Sequence, residues 1–248
     1  MNHKSRTAVL CALLVVGAAA AGVALRGQNR PDERPQERAD KVQEGQMTDK
    51  QRQHSKLFKH SGAPLREIAA KQNGDIEVEE GLGLITRLPT TSSQRPIFLS
   101  AICNADAVLV GTLTDKSSQL TDEGNFIFTD YQVNVSEIIK ENLTARIKVG
   151  DVITGTRDGG AIELNGRIFR AHREDFAPPS IGQRYLLFLR FIPATGAYLM
   201  YGNGTFEMDG QRVIALGPEA RDELARENIN ASSAFLGKIR SFANVDCK

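Results

Sequence analysis

Apolar positions fall along this chain in three regimes. An almost unbroken apolar run covers Ala8–Leu25, and the stretch from Gly27 to Gly62 then holds only Val42, Met47, Leu57 and Phe58 as larger apolar side chains. From Ile97 onward the apolar residues return with a period of two. Alternation of that kind predicts half-buried strands. It places them at Asn104–Asp115, at Phe126–Ile139 (where Tyr131, Val133 and Val135 alternate with Gln132, Asn134 and Ser136) and at Val152–Arg157. Ile162–Ala171 reads as a hairpin about Asn165-Gly166, a dipeptide suited to a tight turn. Tyr185–Ile192 is apolar on both faces, the mark of a doubly covered strand. Ala197–Tyr201 and Thr205–Met208 read as separate strands flanking a Gly202-Asn203-Gly204 loop, and Gln211–Leu216 follows through Asp209-Gly210. The period then changes again. Glu219–Glu227 and Ser232–Phe242 predict helices, with Phe235, Leu236, Ile239 and Phe242 on one face.

The weaker segments fill the middle. Residues 26–62 read as a polar disordered spacer, too poor in apolar surface to order themselves beyond transient helix between Glu37 and Lys59. Residues 63–96 read as a short helix and strand extension: Pro64–Gln72 with Pro64 opening a helix, Ile76–Val78 and Leu82–Leu88 as strand, Pro89–Pro96 as a joint. The expected organisation is therefore a leader over 1–25, the spacer, the extension, a β-barrel over 97–217 and helices over 218–248. The fold class is mainly β, with helix confined to the end.

The leader carries Lys4 and Arg6 before the apolar run and small residues over Gly17–Gly22. That describes a secretory signal with cleavage near Ala18-Ala19-Ala20. A run of about 18 apolar residues also meets the lower limit of a membrane span, so an uncleaved anchor over residues 8–25 stays open. Both outcomes put the body outside the cytoplasm. Cys11 lies inside the run after Leu10, which fits no lipidation site.

The 248 residues suffice for one domain with attachments. A net charge of +1 gives no steering toward nucleic acid or an anionic membrane. Beyond the leader the cysteines are Cys103 and Cys247, read most simply in an exported chain as one disulfide, with two unpaired thiols as the alternative.

Cys103-Asn104-Ala105-Asp106-Ala107-Val108-Leu109-Val110-Gly111-Thr112-Leu113 resembles the opening strand of the netrin-like domain. Phe128-Thr129-Asp130-Tyr131 and the residues to Lys140 look like its second strand, and Gly182-Gln183-Arg184-Tyr185-Leu186-Leu187-Phe188-Leu189 like its late Gly-x-x-Tyr-Leu strand. Similar strings occur in uncharacterised exported bacterial proteins. The resemblance implies a small OB-like barrel, the kind shared with tissue inhibitors of metalloproteinases, over about Ala101–Leu216. Those inhibitors chelate zinc through an amino-terminal Cys. Cys103 is internal, so that mechanism transfers only if a cut falls just before it.

Candidate chemistry is sparse. His3 precedes the leader, and His54 and His60 lie in the spacer at a separation suited to neither face of a helix. His172-Arg173-Glu174-Asp175 is the one dense polar cluster, read as a solvated loop with metal binding or proton transfer as the sharper alternative. No catalytic, metal or cofactor residue is assigned, and no cofactor is expected. The functional expectation is a non-enzymatic, extracytoplasmic interaction protein, contacting an unknown protein or cell-wall component through the loops Ser117–Asn125 and His172–Ile181. A carbohydrate-binding module using Tyr198 and Tyr201, a protease inhibitor and, last, a metal-dependent hydrolase are the alternatives. Nucleic acid is not an expected partner.

Overall fold

Two sheets carry this molecule, and the longest strands belong to both the interior and the site. The computed structural model describes residues 38–41, 47–58, 63–71, 74–80, 97–173, 175–243, 245 and 247. The leader, Leu82–Leu88, Pro89–Pro96, His60 and Glu174 lie outside them. In chain order the elements are β1 (Asp40–Lys41), α1 (Asp49–Ser55), α2 (Leu65–Lys71), β2 (Ile76–Glu80), α3 (Ile97–Asn104), β3 (Ala107–Leu120), β4 (Ile127–Lys140), β5 (Val152–Asp158), β6 (Gly160–Leu164), β7 (Arg167–Arg173), β8 (Arg184–Ile192), β9 (Ala197–Asp209), β10 (Arg212–Ala215), α4 (Pro218–Arg226) and α5 (Ser232–Ala243). The fold is mainly β with a helical carboxyl-terminal part, as the patterning predicts. Among the described residues no helix is long and apolar enough to cross a membrane.

The larger sheet runs β10-β9-β5-β4-β3-β8, and β9 also pairs with β8. The pairings β3–β4–β5–β9–β8–β3 thus return to their start, all antiparallel except β5 with β9. Period-two patterning explains what fills the ring. Leu109, Leu113, Tyr131, Val133, Val135, Tyr185, Leu187, Leu189, Tyr198 and Met200 form one buried cluster. The intervening Val108, Val110, Phe128, Leu186 and Phe188 face outward under Phe98, Ile102, Leu224, Phe235 and Ile239 of α3, α4 and α5. β3 pairs with β4 along one edge and β8 along the other, and its ladder with β4 shifts register at three places, irregularities that sharpen local twist. Gly111 sits at one shift, where a Cβ would come within 2.6 Å of Val133 Cγ1. The smaller sheet, β1-β6-β7-β2, covers a third cluster holding Leu65, Ile76, Phe126, Ile162 and Phe169. Its central hairpin turns at Asn165 and Gly166, both at positive φ as a tight hairpin turn demands.

Four expectations are corrected. Ile97–Asn104 is a helix rather than the approach to a strand, because Phe98, Ala101 and Ile102 bury one helical face; the strand begins at Ala107. Gly202-Asn203-Gly204 is no loop but runs within β9. Gly202 is required there because a Cβ would collide with the Asp175 carbonyl and lie 2.9 Å from Phe176 Cβ. Ser117–Asn125 is not a free loop either: Ser117 to Leu120 belong to β3, and Thr121 and Asn125 are buried and hydrogen-bonded to each other. The spacer, last, is partly structure. β1 pairs with β6, α1 packs on β4, and His54, Ser55 and Phe58 are buried.

Cys103 and Cys247 form a disulfide with Cα atoms 5.3 Å apart. The bridge fastens the carboxyl end to the last turn of α3, not directly to a strand. Beside it Lys140 Nζ donates to the Ile102 carbonyl at 2.8 Å and also to those of Cys103 and Ala105. A cation at a helix carboxyl end satisfies carbonyls that have no partner within the helix. Burial pulls the Lys140 ammonium below its ordinary range, and Asp106 offsets part of that.

Candidate functional site

The outer face of β3, β4 and β5 carries three successive rows of residues, polar but for Val152. Cross-strand register places Thr112, Asn134 and Val152 in one row, Asp115, Gln132 and Thr154 in the next, and Ser117, Asp130 and Thr156 in the third. The first two rows are exposed or half-buried, whereas Asp130 and Thr156 are buried. Over Asp130 the cover is α1, whose His54 meets the carboxylate.

α1 is a seven-residue helix started by a capping box: the Thr48 side chain accepts from the Gln51 amide while Gln51 reaches back to the Thr48 amide. Such a short helix is marginal by itself, so its docking contacts hold it. Gln51 Nε2 donates to Ser117 Oγ at 3.2 Å. The Asp122 amide donates to Ser55 Oγ at 2.6 Å. Phe58, just beyond the helix, stacks on Phe128 with centroids 6.0 Å apart. At the centre, His54 Nδ1 lies 2.9 Å and 3.0 Å from the two Asp130 oxygens, and its Nε2 lies 2.9 Å from Thr195 Oγ1. Because a carboxylate only accepts, Nδ1 carries the proton facing Asp130. The imidazole is 1% exposed. The arm therefore spans the face from the β3–β4 turn at Asp122 to the β8–β9 turn at Thr195.

An Asp–His–hydroxyl relay invites a catalytic reading, and the surroundings of Thr195 argue against it. Acyl transfer needs amide donors aimed at a developing oxyanion. The Thr195 and Gly196 amides both donate to the Ile192 carbonyl, and the Ala197 amide donates to Thr195 Oγ1 itself. The relay fastens the arm.

The residues singled out from sequence fare differently. Of the cluster at 172–175, His172 and Arg173 lie within β7 rather than in a solvated loop. Arg173 is buried and bridges Asp158 at 2.9 Å and Asp175 at 3.0 Å, tying the end of β7 to the end of β5. His172 lies half-buried in register with Glu79 of β2. Alongside, the buried Arg157 guanidinium sits 4.2 Å above the Phe176 ring and donates to the Asp158 and Phe176 carbonyls. Among the described residues no group of three or more His, Cys, Asp or Glu is placed to hold a metal. Tyr198 and Tyr201 are buried, not offered to a sugar. Sequence reasoning missed the His54–Asp130–Thr195 set, whose members are 76 and 141 residues apart. The one available signal was the Thr48-x-x-Gln51 spacing of a capping box.

Compared with known proteins, the sequence matches no family model and no curated protein.

Proposed function

We propose that the chain is an extracytoplasmic, non-enzymatic interaction protein built on an OB-like barrel of the netrin type. Its partner engages the outer face of β3, β4 and β5. The order β3–β4–β5–β9–β8 with its return to β3 supports the barrel. OB-type barrels take ligands on the face of their second and third strands, between the loop joining strands one and two and the loop joining four and five. In this chain those are β4 and β5 with the turns 121–126 and 193–196. The observation that carries the reading is that a peptide segment, α1 with Phe58, is seated on that face through specific polar and aromatic contacts. Export rests on the leader and on the Cys103–Cys247 bridge, which suits an oxidising space.

The alternatives have less to stand on. A sugar-stacking surface loses its residues with Tyr198 and Tyr201 in the core. A cut before Cys103 would fall inside α3, next to the buried Ala101 and Ile102.

Site-specific photo-crosslinking from position 132, in cells that make the protein naturally, tests the reading. It predicts a discrete adduct with an envelope or extracellular component, absent when the crosslinker stands at Arg221 on α4 and reproduced with the purified partner. Equal labelling from both positions, or none from 132, refutes it.

A further inference from the structure

We propose that α1 with Phe58 is a displaceable internal ligand of the β3–β4–β5 face, occupying the place of a helical peptide from the partner. The inference rests on the reading of that face as the binding surface and adds the partner's chemistry and the resting state of the site.

Four observations carry it. The helix is too short to persist undocked. Its attachment is mostly polar: a carboxylate, two hydroxyls and one amide of the barrel receive it, so water can replace each contact when it leaves. Its one fully buried large apolar anchor is Phe58 on Phe128, with Met47 and Leu57 partly buried against the same cluster. Its departure would uncover Asp130 as an acceptor without its imidazole donor beside an apolar ring, with Asp115, half-buried Gln132 and Asn134 continuing the face. A competing peptide must therefore present a nitrogen donor at one position, a hydroxyl at the next and an aromatic ring four residues after the donor. That is the pattern of His54, Ser55 and Phe58. A Lys or Arg in the donor place would meet Asp130 with a full charge.

The probe is a labelled synthetic peptide of residues 47–58, added to the full mature chain and followed by anisotropy up to millimolar concentration. Against the double variant His54→Ala/Phe58→Ala, which vacates the face, the peptide is expected to bind about tenfold tighter than against the unaltered chain, whose own arm competes at a high effective concentration. Adding Asp130→Asn to the double variant is expected to weaken binding again by about tenfold. Equal binding to both chains, no binding to the vacated chain, or indifference to Asp130 overturns the proposal. Should the double variant misfold, native-state trypsin cleavage of the unaltered chain decides. Cutting after Arg52 or Lys56 at a rate nearly independent of urea means local release of the arm. Cutting only as fast as the whole chain unfolds overturns the proposal. The two claims fail separately: peptide binding without any adduct from position 132 sinks the partner, whereas a specific adduct without peptide binding sinks the internal ligand.

Discussion

Gly202 shows how a single missing Cβ shapes the strand that closes the ring. The Asp175 carbonyl and Phe176 press on β9 at that point, and Gly202→Ala is expected to cost about 1–3 kcal/mol by overpacking, read as a lowered urea midpoint at unchanged slope. Two tyrosines give a second residue-scale test. Burial raises the phenol of Tyr198 above its ordinary range against the opposing Asn142 hydrogen bond, and burial raises that of Tyr201 against Arg190. In the unfolded chain these groups ionise near pH 10, before they do so in the folded one. Their contribution to stability is thus complete below about pH 10 and is lost as pH rises through the folded values. Absorbance at 295 nm should show them ionising late, together with alkaline unfolding, and Tyr198→Phe should remove one late-ionising phenol. Ionisation of all tyrosines near pH 10 in a still-folded protein would contradict this.

At the scale of elements, legibility followed apolar periodicity. β4, β8, the Asn165-Gly166 hairpin and α5 were readable because each buries a regular apolar set. α1 was legible only as transient helix between Glu37 and Lys59, because two of the three residues buried at and just beyond it, His54 and Ser55, are polar and satisfied by partners far away in sequence. For the same reason the relay at the candidate site stayed invisible while its strands were predicted. Gly202-Asn203-Gly204 misled in the opposite direction, since glycine demanded by a close approach looks like glycine demanded by a turn. α3 owes its finish to another element: Lys140 on β4 fills the carbonyls of Ile102 and Cys103 in its last turn. Lys140→Met keeps the stem and removes the donors, and is expected to lower stability by about 1 kcal/mol by urea denaturation. α5 is likewise fastened to β4 through two parallel Arg240–Glu137 hydrogen bonds of 2.8 and 2.9 Å.

For the whole molecule, the bridge between Cys103 and Cys247 joins residues 144 apart. Closing so long a loop restricts the unfolded chain by up to about 5 kcal/mol in the chain-entropy view. Reduction, or Cys247→Ser, should lower the urea midpoint markedly while leaving the circular dichroism of the β body in place. The account as a whole depends on a polar arm being held on the outer face of β3–β5 by His54. Amide hydrogen exchange of the unaltered chain and of His54→Ala tests that most directly. Protection at residues 49–55 in the unaltered chain, lost in His54→Ala while β3, β4 and β5 keep theirs, is the predicted result. Exchange of residues 49–55 at the rate of unstructured peptide in both chains would contradict it.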